Sequence, residues 1–242
     1  MALEVRSPVA GERVLVIAAH PDDVDFGAGG TVASWTGAGS EVAYCIVTDG
    51  DAGGFDLEVP RERMAALRRD EQRAAATELG VEDVTFLGYP DGCTAASLDL
   101  RRDLARAIRR VRPDRVVTQS PDRNWERIQA SHPDHLAVGE AAMCAVYPDS
   151  RNPFAFPELL DEGLEPHTVP ETWLVASPSA NAVVDVTGTF ERKLAALKRH
   201  VSQVGEGQWL DEMLRGWLAP QAAAAGLPEG SLAESFRVVR TG

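Results

Sequence analysis

The chain has 242 residues, of which 44% are hydrophobic and 25% are charged, the balance of an ordinary globular protein. Its formal net charge of −13 argues against nucleic acid or an anionic membrane surface as the main partner, because both require a cationic face. No apolar run approaches the length of a membrane-spanning helix and the first residues lack a signal-peptide pattern, so we expect no membrane insertion. The length suffices for one α/β domain, although two domains would also fit.

Three widely spaced cysteines, Cys45, Cys93 and Cys144, form no CxxC pair. An odd number of separated cysteines is typical of reduced thiols rather than of a disulfide framework. We therefore expect a cytoplasmic protein.

Strands and helices are predicted to alternate along the first 146 residues. Strands are expected at 13–19, 41–48, 84–87 and 115–118, and helices at 27–35, 60–79, 98–110 and 135–146. The strands are short apolar runs, which are typical of strands buried on both faces of a parallel sheet. This order predicts an α/β fold with a mostly parallel, Rossmann-like sheet flanked by helices.

The pattern weakens after residue 148, where prolines mark an irregular loop that extends to about residue 171. Two further strands are expected at 172–176 and 182–186, followed by a helix at 190–201. No element is assigned to the tail at 205–230, which is rich in alanine, glycine and tryptophan.

Polar loops follow each of the first four predicted strands. His20–Asp23 follow the first strand, Asp49–Gly54 the second, Asp91 the third and His132 the fourth. Because ligands bind beyond the carboxyl ends of parallel strands, these loops are predicted to share one site.

Two of these loops contain related histidine motifs, Ala19-His-Pro-Asp-Asp23 and Ser131-His-Pro-Asp-His135. Together they offer two imidazoles and a carboxylate to a metal ion, with a second carboxylate and a third imidazole left for proton transfer. That combination suits hydrolysis by a zinc-activated water, although the same ligand set would also hold Fe(II), Mn(II) or Co(II). The alternative, a polar turn whose aspartates cap the next helix, is disfavoured by the second motif at the same sheet edge.

The strings AHPDDVDFGAGG, LGYPDG and SHPDH resemble the LmbE/PIG-L family of zinc-dependent N-acetylglucosamine deacetylases. The resemblance covers about residues 13–147, and the later segment 198–203 also looks like this family. It implies a single LmbE-like domain over 1–242, with a core at 13–147, a loop at about 148–171 and C-terminal strands and a helix at 172–242. It further implies one Zn²⁺ per chain and a small N-acetylated sugar or glycoconjugate as substrate, and it leaves a homo-oligomer open.

The resemblance also assigns roles to the two histidine motifs. The zinc ligands correspond to His20, Asp23 and His135, the general base to Asp22, and the imidazole that stabilises the oxyanion and protonates the leaving amine to His132. Many members have a glutamate after the two aspartates, whereas this chain has Val24 followed by Asp25, a variant that resembles the bacillithiol branch.

Further residues are candidates for supporting roles, each with a simpler structural alternative. Asp134 is expected to hydrogen-bond His132 and keep it charged, or to be a carboxylate favoured by the helix N-terminus. Arg68 is expected to hold substrate hydroxyls or phosphate, or to be an exposed partner of Glu71. Asp91 is expected to bind sugar hydroxyls, or to be simply a turn residue. Arg123 and Asn124, together with Asp122, are expected to line the pocket. His200 and Gln203 are expected to lie close to the residues that bind the metal.

Other functions remain open at this stage. A related amidase could act on a thiol conjugate, and a metal-dependent phosphoesterase could use Asp49 and Asp51 for a second ion. A metal-binding protein would not need the additional Asp22 and His132. A nucleotide enzyme is disfavoured because Gly27-Ala-Gly-Gly30 lacks the full GxGxxG spacing.

Overall fold

A mixed sheet of eight strands runs through this computed structural model, which describes residues 3–54 and 56–242. The strands are β1 (Glu4–Arg6), β2 (Arg13–Ala18), β3 (Glu41–Thr48), β4 (Asp83–Tyr89), β5 (Arg115–Gln119), β6 (Glu171–Val175), β7 (Ala182–Asp185) and β8 (Ala233–Arg240). Their spatial order is β1-β7-β8-β6-β5-β2-β3-β4, and only β8 among these strands runs antiparallel to its neighbours, β6 and β7. The predicted α/β fold with a mostly parallel sheet is confirmed.

Helices cover both faces of this sheet. They are α1 (Asp23–Gly37), α2 (Arg61–Glu78), α3 (Leu98–Val111), α4 (Pro133–Cys144), α5 (Glu158–Asp161), α6 (Phe190–Leu197), α7 (Val201–Val204) and α8 (Leu210–Ala224). On one face, α1, α2, α6 and α8 contribute to a core that contains Trp35, Trp173 and Phe236. On the other face, α3 and α4 pack over Leu15 and Ile17. Since alternate side chains of a strand point to opposite faces, the central strands β2, β3 and β5 supply both cores.

The parallel strands bring the predicted site loops to one edge. β2 pairs in parallel with β3 on one side and with β5 on the other, and β3 pairs with β4. The chain therefore leaves all four strands in the same direction. A hydrogen bond of 2.9 Å from the Thr48 backbone N–H to the Ala19 carbonyl joins the ends of β2 and β3.

The sequence patterns missed β1, α8 and β8. Helix α8 contains Gly216 and Pro220, which are the residues least favourable to a helix interior. Its buried residues Leu210, Leu214 and Leu218 recur every four positions, so tertiary packing stabilises a helix that propensity disfavours. The helix expected at 190–201 is in fact two helices, α6 and α7, separated at 198–200. Within the described residues, no helix has both the length and the apolar character needed to cross a membrane.

Candidate active site

The turn that follows β2 contains two neighbouring aspartates with different partners. The His20 backbone N–H donates a 2.7 Å hydrogen bond to Asp23 Oδ2 and closes the turn. Asp22 has a left-handed backbone with φ of 91°, a conformation that costs a non-glycine residue about 1–3 kcal/mol. The Asp22 carboxylate then contacts Arg68 at 3.1 Å, whereas Asp23 Oδ1 lies 3.0 Å from His135 Nε2. The strained backbone of Asp22 thus separates the two carboxylates.

His20, Asp23 and His135 form the donor cluster of this site. His20 Nδ1 lies 3.3 Å from His135 Nε2 and 3.2 Å from Asp23 Oδ2. Donor atoms about 2.0–2.1 Å from a tetrahedral zinc ion are roughly 3.3 Å from one another, so these separations suit a common metal ion. Asp23 Oδ2 also accepts a 2.9 Å hydrogen bond from Gln119 Nε2, which leaves Oδ1 free to face the imidazoles.

Hydrogen-bond acceptors on the side away from the cluster centre orient both imidazoles of the donor cluster. His135 Nδ1 lies 3.2 Å from the Ala130 carbonyl oxygen, and His20 Nε2 lies 3.2 Å from Asp134 Oδ2 and 3.0 Å from Asp91 Oδ1. These acceptors hold a ring N–H on the outer nitrogen, so the inner nitrogen would supply a lone pair to a metal ion that displaces its proton, as in histidines that ligate metals. The chemistry of the donor set therefore fits a divalent transition metal.

The carboxylates around His20 favour positive charge at this position, whether as a protonated imidazole ring or as a bound metal ion. Burial lowers the pKa of His20, but hydrogen bonds to the Asp134 and Asp23 carboxylates outweigh this effect and raise it to about 12. Burial raises the pKa of Asp23, but the neighbouring His135 and His20 imidazoles outweigh it and keep this pKa well below its usual value. Asp23 is therefore ionised and would be available to a bound cation.

His132 is close to this cluster, with its ring centroid 4.9 Å from that of His20 and 5.5 Å from that of His135. The three imidazoles could in principle hold a metal together. However, His132 Nδ1 accepts a 3.2 Å hydrogen bond from the Asp134 backbone N–H and so caps α4. A neutral ring of this kind carries its proton on Nε2 and is a hydrogen-bond donor rather than a ligand.

The prediction that the Asp134 carboxylate hydrogen-bonds His132 is wrong. Its two oxygens accept from the backbone N–H groups of Gly92 (2.7 Å) and Thr94 (3.1 Å), and Oδ2 also faces His20. Asp134 lies in the first turn of α4, which is the alternative that the sequence allowed. Burial and the positive charges of His20 and His135 lower the pKa of His132, so the neutral imidazole is favoured at pH 7 rather than the predicted cation.

Asp91 is directed inward rather than toward a sugar site. It is buried, its Oδ1 lies against His20 Nε2, and its Oδ2 accepts a 3.1 Å hydrogen bond from the Ala52 N–H. Both carboxylate oxygens are thus engaged by the protein. Asp91 contacts a donor-cluster imidazole, and the expectation that it binds sugar hydroxyls stays a prediction.

Arg68 is buried beside Asp22, not exposed. Its guanidinium donates to the Pro21 carbonyl at 2.7 Å, to the Gly50 carbonyl at 3.1 Å and to Asp22 Oδ2. The alternative of an exposed pair with Glu71 is therefore wrong, and Glu71 instead accepts hydrogen bonds from Ser202. A contact between Arg68 and substrate stays a prediction.

The loop before α4 contains the other expected pocket residues. Asn124 Oδ1 accepts from the backbone N–H groups of Glu126 and Arg127, so this side chain stabilises the loop. Arg123 is exposed, with its guanidinium 5.5 Å from the Trp125 ring. Contact of either residue with substrate also stays a prediction.

A buried polar network behind Asp22 was only partly anticipated. The Asp22 backbone N–H donates a 2.7 Å hydrogen bond to Gln72 Oε1, and Gln72 Nε2 donates a 3.0 Å bond to Asp25 Oδ2. The same Asp25 oxygen lies 2.8 Å from His200 Nε2. His200 therefore reaches the site through Asp25 and Gln72, whereas Gln203 hydrogen-bonds Ser202. The available sequence signal was a polar Gln72 within the alanine-rich buried stripe of α2.

The environment of Asp22 tunes its acidity. Burial raises its pKa, the Arg68 guanidinium lowers it, and the balance gives a pKa of about 6. A carboxylate with this pKa is mostly ionised at pH 7 and is still basic enough to accept a proton from water.

Asp49 and Asp51, which the sequence left open as ligands of a second metal, are both paired with arginines. Asp49 Oδ2 lies 2.6 Å from Arg69, and Asp51 Oδ2 lies 2.6 Å from Arg61. Their charges are thus neutralised on the protein surface.

The comparisons with known proteins agree with this geometry. The family described as PIG-L: GlcNAc-PI de-N-acetylase matches residues 15–146. Diacetylchitobiose deacetylase of Thermococcus kodakarensis is 32% identical over 82% of this chain and 72% of its own length. A probable N-acetyl-alpha-D-glucosaminyl L-malate deacetylase 2 of Bacillus cereus is 30% identical over 78% of this chain and 83% of its own.

Among solved structures, the fold is similar to that of N,N'-diacetylchitobiose deacetylase from Pyrococcus horikoshii, with a TM-score of 0.87 and 33% identity. The match covers 95% of this chain and 84% of that one. The similarity therefore extends through the C-terminal part of the chain, beyond the segment that matches the family.

Proposed function

This chain belongs to the PIG-L family of GlcNAc-PI de-N-acetylases, and from that premise we propose that it is a metal-dependent hydrolase that removes the N-acetyl group from an N-acetylglucosamine-type sugar or glycoconjugate. The observation that carries the proposal is the position of Asp22, a carboxylate with a pKa of about 6, next to a donor cluster that suits a metal ion. We place the reaction in the cytoplasm, as the cysteine pattern predicts.

We assign the metal to His20, Asp23 and His135, and zinc is the ion that this nitrogen and oxygen donor set suits best. When bound, such an ion would polarise the acetyl carbonyl and lower the pKa of a water molecule that it holds. Three protein donors are typical of catalytic zinc sites, which keep a position open, rather than of structural sites.

Asp22 is the general base in this proposal. It accepts a proton from the attacking water as the water oxygen bonds to the acetyl carbon. Arg68 keeps the carboxylate oriented and limits the rise of its pKa. When the C–N bond breaks, Asp22 returns the proton to the leaving amine, which yields acetate and the free amino sugar.

His132 is the electrophilic partner. Because its Nδ1 is occupied by the Asp134 backbone N–H, its Nε2–H is available to donate a hydrogen bond to the acetyl oxygen as negative charge develops there. A neutral imidazole performs this role without a carboxylate partner.

Acetate release from N-acetylglucosamine, N,N'-diacetylchitobiose and N-acetylglucosamine glycosides tests the proposal. We expect release that depends on added Zn²⁺, is lost in Asp22→Asn and is kept in Asp70→Asn, an exposed aspartate on α2. The phosphoesterase alternative predicts hydrolysis of p-nitrophenyl phosphate and a loss of activity in Asp49→Asn. The absence of acetate release from all three substrate types by the metal-loaded protein would overturn the proposal.

A further inference from the structure

A cavity of about 300 Å³ opens beside the donor cluster. Asp23 and His135 lie at one end, and the apolar part of its wall comes from α1, β6 and the segment that includes α8. The apolar lining includes Phe26, Val175, Trp209, Met213, Trp217 and Leu218. We call this space the tryptophan cavity.

The two tryptophans of this cavity are unusually accessible. Trp209 is 50% exposed and Trp217 is 41% exposed, although both belong to a residue type that normally buries most of its surface. Trp217 lies 6.4 Å from the Phe26 ring, and the Arg127 guanidinium lies 4.7 Å from the Trp217 ring. The aromatic surface is thus concave, adjacent to the reacting centre and accessible from solvent.

The buried polar lining of the cavity is largely committed to the protein. The Glu234 carboxylate accepts hydrogen bonds from the backbone N–H groups of Gly30 and Thr31 and from Lys193 Nζ. The polar lining residues that are not buried, Arg127, Gln129, Gln221 and Ser235, stay accessible to solvent, and an apolar occupant would release water from the aromatic wall.

One buried acceptor at the cavity remains free. Gln119 is 4% exposed and donates from Nε2 to Asp23 Oδ2, while its Oε1 has no hydrogen-bond partner among the described residues. Because this oxygen is enclosed by the protein, Gln119 serves to orient Asp23 at the end of the cavity.

We propose that the tryptophan cavity binds an aryl or short alkyl substituent of the substrate. The inference rests on the proposed deacetylase function and names its substrate class, a glycoconjugate with an apolar group near the reacting amide. That group is attached either to the anomeric oxygen of the sugar or to the acyl carbon, and both attachments present the same chemistry to the aromatic wall.

Two substrate series distinguish these attachments by the rate of amine release. One compares phenyl with methyl 2-acetamido-2-deoxy-β-D-glucopyranoside, and the other compares N-hexanoyl with N-acetyl on the methyl glycoside. We expect kcat/KM to rise roughly 10- to 100-fold in one series, the range for burial of one apolar side-chain-sized group. A rise in the first series identifies an aglycone site, and a rise in the second an acyl site.

Variants connect the preference to the cavity. Trp217→Ala and Trp209→Ala should each reduce the ratio of kcat/KM values within the responsive series, and Trp217→Leu, which keeps an apolar side chain, should retain more of it. Phe154→Ala removes an 89% exposed aromatic side chain that is not part of the cavity lining and should keep the wild-type ratio. Thermal unfolding of each variant identifies any loss caused by misfolding.

A binding measurement separates this inference from the proposed function. Calorimetry with both pairs of ligands on the inactive Asp22→Asn variant should show tighter binding of the ligand with the larger apolar group in one pair, and Trp217→Ala should weaken that binding. If no glycoside is hydrolysed but this difference in binding is present, the deacetylase proposal fails and the cavity assignment stands. If the methyl glycoside is hydrolysed but neither series shows a preference, or the preference survives in both tryptophan-to-alanine variants, the cavity assignment is wrong.

Discussion

The side-chain amide of Gln72 holds the backbone of Asp22. Gln72 Oε1 accepts the Asp22 N–H at 2.7 Å, while Gln72 Nε2 donates to the buried carboxylate of Asp25 at 3.0 Å. The amide thus supplies both an acceptor and a donor in this arrangement. Because Asp22 has a positive φ, its conformation depends on such contacts, and Gln72 is therefore a positioning residue for the proposed base.

The first prediction follows from this relationship. Gln72→Glu keeps the acceptor for Asp22 but replaces the donor to Asp25 with a second buried carboxylate, so we expect kcat to fall about 10- to 100-fold, as for other residues that orient a catalytic group. Metal content and KM should change little. Gln208→Glu, an exposed glutamine, is the matched control. A purely structural role would instead lower the amount of folded protein and leave kcat per folded molecule unchanged.

The second prediction concerns the donor cluster. Purified protein should bind about one divalent metal ion per chain, because three donor atoms of His20, Asp23 and His135 face one another. His135→Ala should lose this metal, as measured by elemental analysis after dialysis. His167→Ala is the control, since the His167 ring contacts the Pro113 carbonyl oxygen and does not belong to the donor cluster. Full metal occupancy in His135→Ala would contradict the ligand assignment.

The sequence predicted the position of the donor cluster better than it predicted the C-terminal part of the sheet. His20, Asp23 and His135 share one cluster because parallel strands end at one edge, a rule that needs only the order of the elements. The C-terminal strand β8 could not be predicted in the same way, since its pairing with β6 and β7 depends on contacts that are distant along the chain.

The partner of each polar group was harder to predict than its location. Asp134 is adjacent to His132 in sequence, yet its carboxylate points to His20 on another loop and to the backbone of Gly92 and Thr94. Likewise, Gln72 and His200 reach Asp25 from positions 47 and 175 residues further along the chain. Such contacts depend on side-chain orientation in the folded chain, which hydrophobic periodicity does not encode.

The third prediction separates catalysis from metal binding at Asp22. Asp22→Asn should keep the metal and lose hydrolysis by a factor of about 100 to 10,000, because an amide cannot accept the proton of water. Wild-type kcat/KM should rise with pH as Asp22 ionises, below the value of about 6 of the metal-free protein because a bound cation lowers the pKa of a nearby carboxylate, and this acidic limb should be absent from the residual activity of the variant. An Asp22→Asn protein without metal would indicate that the two aspartates have exchanged roles.

The fourth prediction distinguishes a neutral from a cationic His132. His132→Ala should lower kcat about 100- to 1,000-fold with the metal retained, since it removes one donor to the developing oxyanion. His132→Gln should recover part of this loss because its amide N–H also donates a hydrogen bond. The lowered pKa of His132 further implies that the basic limb of the pH profile belongs to another group and persists in His132→Ala. If kcat falls equally in His132→Ala and His132→Gln, and the basic limb of the pH profile disappears in His132→Ala, His132 acts as a cation.

The last prediction links the acidity of Asp22 to stability. Burial raises the pKa of Asp22 in the folded state from 3.8 to about 6, so the unfolded chain loses this proton at a lower pH than the folded protein does. The stability of the metal-free protein should therefore decrease as the pH rises from about 4 to about 6, and the cost should be fully present above that range, up to ~3 kcal/mol for a shift of about two pH units. Asp22→Asn removes the titration, so the metal-free variant should be more stable than the wild type at pH 7 and lose this advantage at pH 4. Urea unfolding of both proteins at pH 4 and pH 7 measures the difference. An equal stability change at both pH values would attribute it to altered hydrogen bonding with Arg68 and not to the ionisation of the base.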